Sequence, residues 1–258
     1  MTDYEEIGKN YNKKRTADSR ILQGLVDCLK LKKGSRLADI GAGTGNYSLA
    51  LTNLGYKIEA VEPSNVMHNQ FADSRSVNWH IASAEDLPFD DGSIDGIICI
   101  LALHHFSDSE KAFTEMNRVC PKGPIVIFTF DPRASDGTWF SDYFPTVRKK
   151  SFSFFPSIGD IRSEITLNTR RKVSTVPFYL PSDLCDHFAG AGWNRPEIYL
   201  DSEFRAGMSP FMSEDQNIIS NQVERLSMDL TNGEWDKKYG FLREKKSYNL
   251  GYSFICIN

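Results

Sequence analysis

The stretch LADIGAGTGNYSLAL, residues 37–51, decides the fold. An apolar run carrying Asp39 is followed by Gly41, Gly43 and Gly45 at alternate positions, and an alanine and leucine pattern of helical spacing begins after them. The spacing predicts a strand, a tight loop and a helix, the unit from which parallel sheets are assembled. A dinucleotide fingerprint would place glycines at the first, third and sixth positions, but counted from Gly41 the sixth residue is Asn46. A P-loop ends in Gly-Lys-Ser or Gly-Lys-Thr, and no lysine occurs between Lys33 and Lys57. The chain offers instead an acid two residues before the glycines and a second acid, Glu62, 21 residues after Gly41 at the end of the next strand. A carboxylate there can accept both hydroxyls of a ribose, while the glycines let backbone approach a ligand closely. Asp39 then suits a ligand with an ammonium group rather than phosphates.

Working outward, residues 17–30 (ADSRILQGLVDCLK) set Ile21, Leu22, Leu25, Val26 and Leu29 at helical spacing, and SRLADI follows as the first strand. NYSLALTNLG reads as a helix stopped by Gly55, and YKIEAVE as the next strand. VNWHIAS, IDGIICILAL and PIVIFTF have the length of buried strands, separated by helix-compatible stretches such as SDSEKAFTEMNRV. Right-handed crossovers then give a doubly wound α/β sheet over about residues 20–130. Residues 131–180 mix aromatics and basic residues without a βα repeat and read as an insertion. PSDLCDHFAGAGW is expected to return to helix, with Ser182 as N-cap and Gly190 and Gly192 near its end, and RPEIYLD to form a strand. EDQNIISNQVERLSMDL is expected to be helical, and YNLGYSFICIN to form an edge or antiparallel strand. The expected architecture is one Rossmann-like α/β domain over residues 1–258, its sheet mostly parallel with an antiparallel last strand. Its core covers about 17–132, 181–202 and 247–258, and its cap about 133–180 and 203–246.

The chain of 258 residues is 40% hydrophobic and 25% charged, the profile of a globular domain able to bury a sizeable core. No apolar run approaches the roughly 20 residues that span a bilayer, and the N-terminus has no apolar targeting segment; a cytoplasmic location without a membrane partner is expected. Net charge is −4, so no global attraction to nucleic acid is built in. The five cysteines are scattered and contain no CxxC pair, which indicates neither a disulfide framework nor a metal site.

Four stretches in order, DIGAGTG, VEPS, AEDLPFDDGSIDGI and LALHHF, resemble the motifs of class I S-adenosylmethionine-dependent methyltransferases, in particular the type-11 group related to ubiquinone and menaquinone pathway enzymes. The resemblance covers about residues 35–130 strongly and the rest more weakly. It implies S-adenosyl-L-methionine as cofactor, with S-adenosyl-L-homocysteine as product. Gly41, Ala42 and Gly43 would lie under its methionine portion, Glu62 would bind the ribose, and Pro63 and Met67 would border the adenine. Ala84 and Glu85 would meet the adenine amino edge, and the backbone near Leu101 the methionyl amine. The family's Lys-Pro-Gly-Gly before the fifth strand is here CPKGP, residues 120–124, a departure that touches a turn more than the site. An N-terminal segment with Tyr4, Tyr11 and Arg15 resembles the lid of many relatives, or is a loosely packed first helix.

His104 and His105 follow a buried strand at its carboxyl end, where a neutral imidazole could act as a base; alternatively one packs against the sheet and the other is solvated. Asp131, at the end of IVIFTF, could orient substrate or cap the next turn. His187 reads as structural. Residues 133–172 hold eight basic and four acidic side chains, together with Trp139, Phe140, Tyr143, Phe144, Phe152, Phe154 and Phe155. Such a mixture suits a lid over a planar or anionic small substrate, nucleic acid, or a cationic face over an aromatic core. The expected activity is methyl transfer to a small organic acceptor. The alternatives are methylation of RNA or another macromolecule, and a nicotinamide-dependent oxidoreduction.

Overall fold

Helix α1 (Ser19–Leu29) starts where Asp18 accepts a hydrogen bond from the Arg20 amide at 2.9 Å, and it buries one stripe, Ile21, Leu25 and Leu29. The computed structural model describes residues 15–70, 76–135 and 138–258. In chain order α1 is followed by β1 (Arg36–Ile40), α2 (Asn46–Asn53), β2 (Lys57–Val61), α3 (Asn65–Gln70), β3 (Val77–His80), β4 (Gly96–Ile100), α4 (Ser109–Val119) and β5 (Ile125–Phe130). Then come α5 (Trp139–Tyr143), α6 (Pro145–Phe154), α7 (Ile158–Thr169), β6 (Val173–Pro177) and β7 (Leu180–Pro181). The chain ends with α8 (Ser202–Ala206), α9 (Ser209–Met212), α10 (Gln216–Thr231), α11 (Glu234–Tyr239), β8 (Ser247–Tyr248) and β9 (Tyr252–Ile257). Among the described residues no helix is long and apolar enough to cross a membrane.

The chain divides into two units. The first, Thr16–Phe130, Ser157–Pro177 and Ser253–Asn258, holds a seven-stranded sheet in the order β3-β2-β1-β4-β5-β9-β6. Strands β1 to β5 pair in parallel, with Asp39 opposite Ala60 and Ile98, and β6 runs antiparallel to β9 from Val173 opposite Ile257 to Pro177 opposite Ser253. Strands β1, β4 and β5 are buried almost throughout, the mark of a sheet covered on both faces. Helix α4 begins at Asp108, whose carboxylate accepts from the Lys111 amide at 3.0 Å, and packs Phe113 and Met116 into one core with Ile97 and Ile127. The CPKGP turn depends on its glycine: a Cβ at Gly123 would fall 1.9 Å from the Asp95 carbonyl oxygen. Arg171 holds the same turn, donating to the carbonyls of Cys120 at 3.0 Å and Gly123.

The doubly wound core expected over residues 20–130 and the antiparallel last strand are both present. The boundaries beyond residue 131 differ. Of the expected cap segment 133–180, α7 and β6 belong to the sheet unit, because Ile161 and Ile165 pack into the same core as Phe113. Residues 181–202, expected in the core, group with the second unit.

That second unit comprises, of the described residues, Arg15, 131–135, 138–156 and 178–252. Its centre is aromatic: Trp139 lies 5.2 Å from Tyr199 and 6.0 Å from Trp235 between ring centroids, and Phe144 lies 5.1 Å from Phe211. Trp139 Nε1 donates to the Trp193 carbonyl at 2.7 Å, which lets the large ring be buried without an orphaned donor. The helix expected over PSDLCDHFAGAGW is absent, replaced by successive turns, and RPEIYLD forms a 3-10 turn, Pro196–Leu200, instead of a strand. Gly190 and Gly192 explain this: a Cβ there would meet Leu180 at 2.6 Å and Ile198 at 2.5 Å, so the backbone is folded tightly on its own neighbours. Arg195 then takes the carbonyls of Leu184 and Ala191, at 3.3 and 3.0 Å. His187 sits in this turn region, edge-on to Phe204 at 5.9 Å, and not on a helix.

Candidate active site

Strand order reverses between β1 and β4, and in open α/β sheets the crevice at the carboxyl ends of such strands is where ligands bind. The loop leaving β1 is fixed by its own backbone. The amides of Gly41 and Ala42 both donate to the Val61 carbonyl, at 2.9 and 3.1 Å, and the Gly45 amide donates to the Ala42 carbonyl at 2.9 Å. The first two glycines have separate jobs. Gly41 (φ +71°) is a packing residue, since a Cβ there would lie 2.4 Å from the Ala102 Cβ just beyond β4. Gly43 (φ +57°) borders open space, with nothing among the described residues within 4 Å of where a Cβ would stand.

Two acids flank this loop. Glu62 is 8% exposed and its carboxylate is held at both oxygens, by the Gly43 amide at 2.9 Å and the Ser64 amide at 3.0 Å. Burial raises its pKa, and the two amides work against that rise. Glu62 therefore fixes the glycine loop as well as facing its rim. Asp39 is 2% exposed and accepts from Ser48 Oγ at 2.5 Å, tying the end of β1 to the first turn of α2 across the loop. Burial pushes the Asp39 carboxyl up to about 7, with the Glu62 charge adding to the rise and the Ser48 bond opposing it.

The strand expected over IDGIICILAL stops at Ile100. Leu101 is left-handed (φ +52°), although it is not glycine, and its amide donates to the Phe128 carbonyl at 2.8 Å. A leucine in that region costs about 1–2 kcal/mol, and strain of this kind concentrates where a backbone must present itself to a ligand. Leu103–His105 form a 3-10 turn beyond the carboxyl end of the strand, so the two histidines do not lie on a continuing strand. Their rings lie beside each other, centroids 3.7 Å apart. Desolvation lowers both imidazole pKa values, with the His105 charge adding to the effect on His104, and His105 is brought to about 4; both rings are neutral at pH 7.

Met67 (3% exposed) and Ala84 (6% exposed) are buried, whereas Pro63 is exposed. The Glu85 carboxylate is already committed, accepting from the Ser107 amide at 2.7 Å, the Ser107 hydroxyl at 2.9 Å and the Asp108 amide at 3.2 Å. It ties its own loop to the segment after His105. Asp131 falls in the second unit, where its Oδ1 accepts from the Arg133 amide at 2.9 Å and guanidinium at 3.1 Å, the turn-capping alternative. Tyr4 and Tyr11 lie outside the described residues; Arg15 pairs with Asp186. Among the described residues no cluster of three or more histidine, cysteine or acidic side chains could hold a metal.

Ser48, Ser64 and Ala102 were not singled out by the sequence, yet each sets a wall of the site. Ser48 follows the glycine loop at helical register, so a search for hydroxyl donors beside the acids would have found it; Ser64 serves Glu62 through its backbone amide, which any residue but proline could supply. Ala102 carries no sequence signal.

A nucleoside-binding crevice on a doubly wound sheet is the class that this geometry defines. Residues 38–128 match the family described as a methyltransferase domain. Over 95% of this chain and 99% of the other, the structure superposes with a TM-score of 0.91 and 45% identity on a methyltransferase of Anabaena variabilis provisionally assigned to an antibiotic biosynthesis pathway. The uncharacterized methyltransferase YcgJ of Bacillus subtilis is 33% identical over 46% of this chain and 51% of its own length. The demethylmenaquinone methyltransferase of Thermus thermophilus is 31% identical over 51% of this chain and 64% of its own. The chain thus spans about half to two thirds of the curated relatives it matches. It belongs to the class I S-adenosylmethionine-dependent methyltransferases.

Proposed function

We propose that the protein moves a methyl group from S-adenosylmethionine to a small organic acceptor. The observation that carries this reading is the open space over Gly43 beside the anchored Glu62 carboxylate, a cradle that a branched side chain at position 43 would fill. The residues fit the cofactor. Gly41, Ala42 and Gly43 would support its methionine portion and Glu62 its ribose hydroxyls. Pro63, Met67 and the backbone of Ala84 and Glu85 would border the adenine, since the Glu85 side chain is engaged elsewhere. The left-handed Leu101 would turn its backbone toward the amino group, and Asp39, through Ser48, would keep the loop in register.

When bound, S-adenosylmethionine supplies an electrophilic methyl on a sulfonium, so the protein's task is alignment and exclusion of water. A base is required only where the acceptor must lose a proton. His104 and His105, both neutral, are the candidates within the sheet unit, and Asp131 is the more distant one in sequence. The small-molecule reading over nucleic acid is supported by the fate of the basic stretch. Four of its cations (Arg162, Arg170, Arg171, Lys172) belong to the sheet unit and four (Arg133, Arg148, Lys149, Lys150) to the other. Arg148 is spent on the Pro132 carbonyl at 2.6 Å, Arg171 on the CPKGP turn, and the aromatic residues Trp139, Tyr143 and Phe144 on a core. The test is calorimetric titration of the full chain with S-adenosylhomocysteine, NADH and a short RNA at two salt concentrations. Binding of S-adenosylhomocysteine alone is expected; salt-dependent RNA binding, or preference for NADH, would overturn the proposal.

A further inference from the structure

Helix α1 and strand β9 carry two thiols that the site does not use. On α1, Gly24 and Cys28 are four residues apart, a rise of about 6 Å; on β9, Phe254 and Cys256 share a face two residues apart, about 6.6 Å. The two spacings match. A Cβ on Gly24 would fall 2.5 Å from the Phe254 ring, so the helix rests directly on that strand. One step along the same contact stand Cys28 and Cys256, close enough that each shifts the other's titration. The missing side chain at position 24 is what lets two side chains as short as cysteine meet between a helix and a sheet.

The pair is also asymmetric. Cys28 is partly exposed and Cys256 is buried. Their interaction lowers the pKa of Cys28, and burial helps raise that of Cys256, so the sulfur that an oxidant can reach is also the one that more readily gives up its proton. Cys99 and Cys120 are different: both are buried, and burial pushes their thiols up to about 12 and about 11. Cys185 is exposed and serves as a comparison.

We propose that Cys28 and Cys256 form an oxidative modification site, with Cys28 as the attacking thiol, Cys256 as the resolving thiol and hydrogen peroxide as the oxidant. The Cys28 thiolate attacks one peroxide oxygen, the O–O bond breaks, and a sulfenic acid forms as hydroxide leaves. The Cys256 thiol then attacks that sulfur, the S–S bond forms, the S–O bond breaks, and water carries off the proton. Two thiols lose two electrons and one peroxide gains them. The bond staples α1 to the strand that lies between β5 and β6, closing nearly the whole sheet unit into one covalent loop.

The experiment treats the reduced full chain with equimolar peroxide and titrates thiols in denaturant. The titre should fall from five to three, with a loss of two hydrogens in mass, and a peptide map should join the segments holding Cys28 and Cys256; dithiothreitol should restore five. Cys256→Ala should halt Cys28 at the sulfenic acid, captured by dimedone, while Cys185→Ala should change nothing. A titre that stays at five, a link through Cys185, or a Cys28 that oxidises no faster than Cys185 would overturn the proposal. The wild-type map decides the matter even if the Cys256 variant fails to fold.

Discussion

Replacing Glu62 with Gln removes a charge and, because of how the carboxylate is held, an acceptor. One oxygen takes the Gly43 amide at 2.9 Å and the other takes the Ser64 amide at 3.0 Å. A glutamine keeps one of those oxygens and turns an NH₂ toward the remaining amide, donor against donor. A buried amide left unsatisfied costs about 1–3 kcal/mol. In a chain of this size about 1 kcal/mol lowers Tm by about 2–4 °C, so the ligand-free variant should melt roughly 2–12 °C lower. Affinity for S-adenosylhomocysteine should fall at least about tenfold, the scale of one lost hydrogen bond to a charged group. Loop damage and ribose contact are separated by a cycle: wild type and Glu62→Gln are each titrated calorimetrically with S-adenosylhomocysteine and with an analogue lacking both ribose hydroxyls. A coupling of at least about 1.4 kcal/mol is expected. If removing the hydroxyls costs both proteins the same factor, Glu62 serves only the loop and the ribose assignment is refuted.

Gly43→Ala meets no neighbour and should cost only the left-handed penalty of about 1–2 kcal/mol, whereas Gly43→Val fills the cradle; calorimetric affinity for S-adenosylhomocysteine should collapse in the valine variant while the far-ultraviolet spectrum stays folded. Asp39 has a folded pKa of about 7 against an ordinary 3.8. The fold therefore holds that proton more tightly than the unfolded chain, and the stability it contributes is present in acid and lost as pH rises from about 4 through about 7. Asp39→Asn should accordingly raise the ligand-free Tm at pH 8 and change it little at pH 4, which differential scanning fluorimetry would read; an equal shift at both pH values would contradict the assignment. Once an acceptor is known, a histidine base with a pKa near 4 should leave kcat flat from pH 5.5 to 7.5, with any acid limb well below the ordinary histidine value. His105→Ala should lower kcat about a hundredfold if that ring is the base, without moving cofactor affinity; normal turnover in both His104→Ala and His105→Ala would leave the reaction to alignment alone.

The sheet was legible because each of its buried parallel strands is a short apolar run bounded by turn residues, and because Gly55 marks a helix end in the local sequence. Residues 182–200 misled because PSDLCDHFAGAGW carries helix-like end signals, while what determines its shape is distant: the Leu180, Tyr252 and Ile198 side chains that crowd Gly190 and Gly192. Strand β6 was hidden for the opposite reason. Its residues VSTVP are largely exposed on the sheet edge, so no apolar run announces them; their place is set by antiparallel pairing with β9, where Ser174 lies opposite Cys256, 82 residues later in the sequence.

At the site, residue types were legible and conformations were not. Spacing alone put Asp39, Gly43 and Glu62 at one loop, and the Gly43 to Glu62 hydrogen bond joins two of them directly. It could not say that Gly41 and Gly43 are glycines for different reasons, because one is crowded by Ala102, a residue 61 positions later, and the other by nothing. The histidines show the same limit more sharply. Continued as a strand, LALHHF would send neighbouring side chains to opposite faces; the strand ends at Ile100, three residues before Leu103, at the left-handed Leu101, and the following 3-10 turn brings both rings to 3.7 Å of each other. Two imidazoles that close cannot both be protonated without mutual repulsion in a desolvated setting. Burial lowers both imidazole pKa values, and the neighbouring ring adds to the effect on His104, so the pair is neutral at pH 7, the state in which either ring can receive a proton from an acceptor.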